Sequence, residues 1–208
     1  MNVLLVHGIF DTGAIFRKLE RDLTQQGHRC FSPSLHPSDA RKGIADLAEK
    51  LDVLAVKEFG NEAPIVIVAF SMGCLVARYY VQCLGGARRT KAFFAISGPH
   101  NGSLLAHLYP GEGARDMRPG SKFLQELASS EVLFGEMPLF TYWTPLDLTI
   151  VPATSSRWSR AIEKIIWVPL HPLMPANGRV RADIVQRIHE QKASHIENND
   201  AGVKNYQL

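Results

Sequence analysis

Six apolar stretches punctuate the chain, and the residues between them carry apolar positions at helical spacing. The clearest is residues 65–70, IVIVAF, an unbroken apolar run with β-branched residues. Such a run suits a strand buried on both faces of a parallel sheet, where no position meets water. Residues 72–84 follow at once, with Leu75, Ala77, Tyr79, Val81 and Leu84 marking an apolar helix face. Further strands are expected at 2–6, 29–35, 91–97, 139–144 and 164–170, the second broken by Pro33. A helix is expected over 13–27, with Ile15, Phe16, Leu19 and Leu23 on one face and Gly27 at its end. A longer one, capped by Pro37-Ser38-Asp39 and apolar at Ile44, Leu47, Leu51 and Leu54, should end near Gly60-Asn61. The last helices are expected at 121–128 and 180–191, and the polar tail 194–208 is expected to be loosely ordered.

Strand and helix alternating at short intervals predict an α/β fold. The sheet should be mainly parallel, of about six strands, with helices on both faces. A chain of 208 residues suffices for one core and is short for two, so one domain over 1–208 is expected. Residues 104–137 interrupt the alternation with Pro110, Gly111, Gly113, Pro119 and Gly120. A connection of that length in a compact domain is usually functional.

Composition narrows the function classes. Apolar residues are 46% and charged residues 21%, an ordinary globular balance, and the net charge is +3. Arg88, Arg89 and Lys91 cluster, but no basic stripe with interleaved aromatics argues for nucleic acid. No stretch has the length of a membrane span, and the start MNVLLVHG lacks a basic segment, apolar run and cleavage site. A soluble, cytoplasmic protein is expected. Cys30, Cys74 and Cys83 are odd in number and match no metal-site spacing, so they read as small apolar groups.

The candidate chemistry sits where predicted strands end. Ser71 lies between strand and helix, flanked by Ala69 and Gly73 in Ala69-Phe70-Ser71-Met72-Gly73. So abrupt a turn strains the central residue and requires small neighbours. His7-Gly8-Ile9 follows the first strand, and Gly98-Pro99-His100-Asn101-Gly102-Ser103 follows the fourth. Asp147 lies just past the fifth strand, ahead of Val151-Pro152, and His171 follows the sixth. Considered residue by residue, Ser71 also suits a helix cap, Asp147 a turn cap, and His7 and His100 hydrogen-bonded loop histidines.

Together these features resemble the α/β-hydrolase superfamily over roughly residues 1–190. The Ser71 pentapeptide matches the A-x-S-x-G variant of its G-x-S-x-G elbow, found in small bacterial lipases and esterases. The 98–103 segment resembles the G-T-P-H-x-G-S run of lipase-like hydrolases, without the threonine. The resemblance implies a serine nucleophile, Ser71, an acid, Asp147, and a base, His171, in the chain order of that family. One His171 ring nitrogen would lie within about 3.2 Å of Ser71 Oγ, with looser geometry allowed in the substrate-free site, and the other would face the Asp147 carboxylate. Asp116 and Asp183 are weaker candidates for the acid, and His100 and His195 for the base. The resemblance also implies an oxyanion hole from the N–H groups of Ile9 and Met72, with His7, Gly8, Gly73 and His100 as nearby structural residues. Residues 104–137 would form a lid or acyl-pocket wall.

The implied reaction is cleavage of carboxylic, lipid-like esters through an acyl-enzyme, by a carboxylesterase or triacylglycerol lipase-like enzyme with no metal or organic cofactor. The implied partner is a small-molecule or lipid ester, with scope for transient contact at a membrane surface; oligomeric state stays open. An acyltransferase or thioesterase with the same triad, or a non-catalytic binding protein on the same scaffold, are the alternatives.

Overall fold

The computed structural model describes residues 1–204, with side chains described through Gln191. Six strands form one all-parallel sheet: β1 (Asn2–Val6), β2 (Arg29–Phe31), β3 (Ile65–Phe70), β4 (Thr90–Ile96), β5 (Leu139–Trp143) and β6 (Ile162–Ile165). Their order across the sheet is β2-β1-β3-β4-β5-β6. Alternate residues of each central strand enter opposite cores. Leu4, Val6, Ile65, Ile67 and Ala69 face α2 (Ile44–Phe59) and α3 (Met72–Cys83). Val3, Leu5, Val66, Val68 and Phe70 face α1 (Arg17–Gln25) and α6 (Gly178–Lys204). Burial on both sides is what removes every polar residue from β3. Each aliphatic or aromatic side chain so buried contributes about 1.5–3 kcal/mol.

The chain first lays β2 on one side of β1, then crosses to lay β3 on the other. That reversal opens a crevice at the carboxyl ends of β1 and β3, where parallel sheets place their ligands. Register carries the same edge across the sheet, since Val6 pairs with Ala69, Phe70 with Ile96, and Ile96 with Tyr142.

Between β4 and β5 the chain forms α4 (Glu112–Asp116) and α5 (Lys122–Ser129), flanked by 3-10 turns at Leu104–Leu108 and Glu131–Phe134. Leu124, Leu127 and Phe134 join the core over α3, whereas Leu105, Ala106, Tyr109 and Met117 line a cavity above β3. Among the described residues, no helix is long and apolar enough to cross a membrane.

Several boundaries differ from the sequence-based expectation. The strand expected over 29–35 ends at Phe31, because Pro33 has no N–H and the Leu35 N–H goes to His7 Nε2 instead of a ladder. The helix expected from Asp39 starts at Ile44. Asp39 is engaged by Arg41, and the Ile44 N–H is taken at 2.8 Å by Asp116 Oδ2, 72 positions away. The strand expected over 164–170 spans Ile162–Ile165, so five residues separate it from His171; Pro169 cannot donate to a ladder. The last helix continues to Lys204 through much of the tail expected to be loose, and residues 205–208 lie outside those described.

Candidate active site

Ser71 joins β3 to α3 in a single residue. Its φ of 54° and ψ of −130° fall in a region L-residues rarely occupy, and neighbouring backbone holds it there. The Ser71 N–H donates to Ile96 O, and the Cys74 N–H donates to Ser71 O, each at 2.9 Å. Two glycines permit the close packing. A Cβ on Gly73 would lie 2.3 Å from Val6 O, and one on Gly8 would lie 2.9 Å from Ser71 Cβ. The β1 loop therefore rests directly on the serine.

His7 holds that loop. Its Nδ1 donates to Gly8 O and its Nε2 accepts the Leu35 N–H, both at 2.8 Å, which requires a neutral ring. Burial pushes its pKa down, consistent with that state. With both nitrogens engaged, His7 has no free base. No protein acceptor takes the N–H of Ile9 or of Met72 among the described residues.

Asp147 and His171 meet although 24 positions apart. The carboxylate Oδ2 lies 2.7 Å from His171 Nδ1, and Oδ1 accepts the N–H groups of Thr149 and Ile150 at 2.9 Å. Burial alone would raise the Asp147 pKa; the hydrogen bond and charge of His171 and the two backbone donors outweigh it, so the carboxyl lies below its ordinary value. An ionised carboxylate only accepts, so the proton between them sits on Nδ1; in a neutral imidazole the lone pair is then on Nε2. That Nε2 is buried with no protein partner.

Thr144 ties the two segments. Its hydroxyl donates to Val168 O at 2.8 Å and accepts from the Leu146 N–H. The Phe70 ring lies against the imidazole, ring centres 4.8 Å apart.

Ser71 and His171 line one cavity of about 310 Å³, walled by Phe70, Pro99, Ala106, Met117 and Ile150, with Ile9 at its side. No hydrogen bond joins Ser71 Oγ to His171 Nε2, as the looser geometry of a substrate-free site allows. Such contacts are commonly long or misaligned until a substrate fills the site.

His100 turns away from this cavity. It stacks on Trp158, ring centres 4.6 Å apart, and its Nδ1 lies 3.3 Å from the Arg78 guanidinium. Burial first, and the Arg78 charge second, push its pKa well below the usual imidazole value. Asp116 caps α2, and Asp183 accepts from Tyr142 and pairs with Lys164 and Arg187. Neither approaches His171 within hydrogen-bonding reach. The side chain of His195 lies outside the described residues.

The site includes residues that the pattern of strands and helices did not single out. Ser103 donates to Thr149 O and accepts the Val151 N–H, pinning the 98–103 loop to the acid turn. Phe10, Asp11 and Tyr109 stand at the cavity mouth. Phe10 carried one signal, its place beside the His7-Gly8 loop, and Tyr109 another, its place among the apolar residues of the 104–137 segment expected to wall the pocket.

A six-stranded parallel sheet with a strained residue at its switch point is the frame of an α/β-hydrolase. A family model described as alpha/beta hydrolase fold matches residues 2–133, and the chain belongs to that family. Solved structures share the fold. One is Bacillus licheniformis lipase BlEst2 in mature form, 14% identical, with a TM-score of 0.70 over 90% of this chain and 91% of that one. Polyneuridine aldehyde esterase (mutant H244A) is 17% identical, with a TM-score of 0.62 over 90% and 98%. A pyrethroid hydrolase from Sphingobium faniae JZ-2 is 14% identical, with a TM-score of 0.58 over 89% and 96%. No curated protein matches the chain in sequence.

Proposed function

We propose that the protein is a serine hydrolase cleaving carboxylic esters, with Ser71 as nucleophile, His171 as base and Asp147 as the acid orienting it. The carrying observation is the His171 imidazole, fixed through Nδ1 by Asp147 at 2.7 Å, with its other nitrogen unpartnered in the cavity that Ser71 lines. A serine hydroxyl is a weak nucleophile at its own pKa and needs such a base.

In this reading His171 Nε2 takes the Ser71 proton as Oγ attacks the ester carbonyl. The same proton then passes to the leaving alcohol. Water, activated by the same imidazole, releases the acid and restores Ser71. The negative oxygen of the tetrahedral intermediate would be held by the N–H groups of Ile9 and Met72. Their lack of protein acceptors supports that role. Residues 104–137 act as the acyl-pocket wall through Leu105, Ala106 and Met117.

A volume near 310 Å³ is at the low end for ligand pockets and favours short to medium acyl chains over long ones. Leu148 on the cavity rim and nearby Leu108 are largely exposed, which suits lipid-like substrates and transient contact with a membrane surface.

The test is ester turnover by purified wild-type and Ser71→Ala protein, across p-nitrophenyl esters from acetate to palmitate. Ser71→Ala should lose about a millionfold in kcat, and the wild type should favour intermediate chains. Near wild-type activity in Ser71→Ala would end the assignment. A steady fall from acetate upward would remove the acyl pocket.

A further inference from the structure

The walls of the Ser71 cavity are uneven in charge. Phe70, Ala106, Met117 and Ile150 are buried and apolar and form its inner part. The outer part is made by Phe10, Asp11 and Tyr109. Phe10 is 62% exposed and Tyr109 49% exposed, and their ring centres lie 5.9 Å apart at 51°. Two large apolar rings held at the surface in contact with each other have no core to fill.

Phe10 is also held there against its backbone preference. Its φ is 56°, in the left-handed region, and its N–H is anchored to Ser38 O at 2.9 Å. A bulky residue in that region persists only where surrounding structure over-determines it.

Among the described residues, Asp11 is the one carboxylate lining this cavity. No ion pair joins it to a basic side chain among the described residues. Its single hydrogen bond is Oδ1 accepting the Thr12 N–H at 2.9 Å, which leaves Oδ2 unengaged.

An unneutralised carboxylate beside two exposed aromatic faces attracts one class of group. Aromatic faces draw cations through the ring quadrupole, and a carboxylate draws them by charge. An anionic group meets repulsion from the same carboxylate. The apolar inner wall suits the acyl chain, so the charged mouth falls to the alcohol half of the ester.

We propose that Phe10, Asp11 and Tyr109 form a cation-selecting mouth, and that preferred esters carry a positive charge, such as a quaternary ammonium, on the alcohol side. The inference rests on the ester-hydrolase reading above and adds the charge of the substrate to it.

The test compares two esters of one shape. Choline butyrate carries the charge, and 3,3-dimethylbutyl butyrate replaces its nitrogen with carbon. The ratio of their kcat/KM values is read within each protein, so a general loss of activity cancels. One unit charge about 4 Å from another in water gains about 1 kcal/mol. The wild type should therefore favour the choline ester by about fivefold at low salt. The preference should shrink in about 1 M NaCl, where the Debye length is about 3 Å.

Asp11→Asn keeps the acceptor for the Thr12 N–H and removes only the charge, and should lower the ratio toward one, leaving the share held by the two rings. A wild-type ratio at or below one, or a ratio unchanged by Asp11→Asn, would overturn the proposal. p-Nitrophenyl butyrate separates the two levels. If the wild type turns it over without any choline preference, only the cation-selecting mouth fails. If the wild type turns over none of the three esters, the hydrolase reading fails and takes this inference with it.

Discussion

Asp147 carries more constraint than any other polar side chain at the cavity. Three donors converge on it: the Thr149 and Ile150 N–H groups on Oδ1 and the His171 imidazole on Oδ2. Its pKa is lowered below the ordinary 3.8. The pairing therefore contributes fully to stability above that value and is lost as pH falls through the lowered pKa. Asp147→Asn tests the orienting role. Asn can keep Oδ1 toward the two backbone donors, and its Nδ2 then faces Nδ1 as a second donor. The imidazole proton is driven to Nε2, the nitrogen that accepts from Ser71 in the proposed reaction. The expected loss is about 10⁴-fold in kcat for p-nitrophenyl butyrate, with little change in thermal midpoint. A loss under about tenfold would contradict the role. At this scale Ser71 and Asp147 were legible as candidates because each follows a strand end, Ser71 after IVIVAF and Asp147 after LFTYWT. The direction of His100 was not. It turns toward Arg78 and Trp158, 22 and 58 positions away, and no local pattern encodes that choice.

Among the elements, α3 connects the serine to a buried polar group deeper in the fold. Arg78 is 2% exposed yet ionisable. Its guanidinium donates to Gln82 Oε1, Leu127 O and Glu131 Oε1 and lies over the Trp158 ring, with Trp158 Nε1 also donating to Glu131. Burial pulls the Arg78 pKa down to about 10, with Glu131 opposing that pull. The cluster lies beside a second cavity of about 600 Å³, separate from the Ser71 site, and joins α3 to α5 and the Glu131–Phe134 turn. Glu131→Ala would leave the cation buried without its counter-ion. Breaking such a pair costs about 3 kcal/mol or more, which for a chain of this size lowers the thermal midpoint by about 6–12 °C. A shift under about 2 °C by calorimetry would contradict the account of this cluster.

Element legibility follows the same divide. β1 and β3 match their expected bounds because two-sided burial removes polar residues from the whole strand. The start of α2 and the end of β6 were misjudged because distant partners decide them: Asp116 for the first, and Thr144 with Trp143 for the segment after the second.

For the whole molecule, topology does most of the positioning. Crossing from β2 back past β1 to β3 opens the switch point, and Gly8 and Gly73 let the two loops close on it. Alternating apolar runs were enough to foresee a parallel sheet with helices on both faces. They could not foresee the cavity mouth, because Phe10 and Tyr109 meet only after 99 residues of chain have been laid down. The central claim is that Ser71 is a nucleophile activated by His171. Fluorophosphonate labelling of the folded protein, with the modified peptide located by mass spectrometry, tests it most directly. One adduct per chain on Ser71 is expected, with labelling lost in Ser71→Ala and strongly slowed in His171→Ala. Absence of an adduct on Ser71 in folded wild-type protein, or equal labelling of His171→Ala, would contradict it.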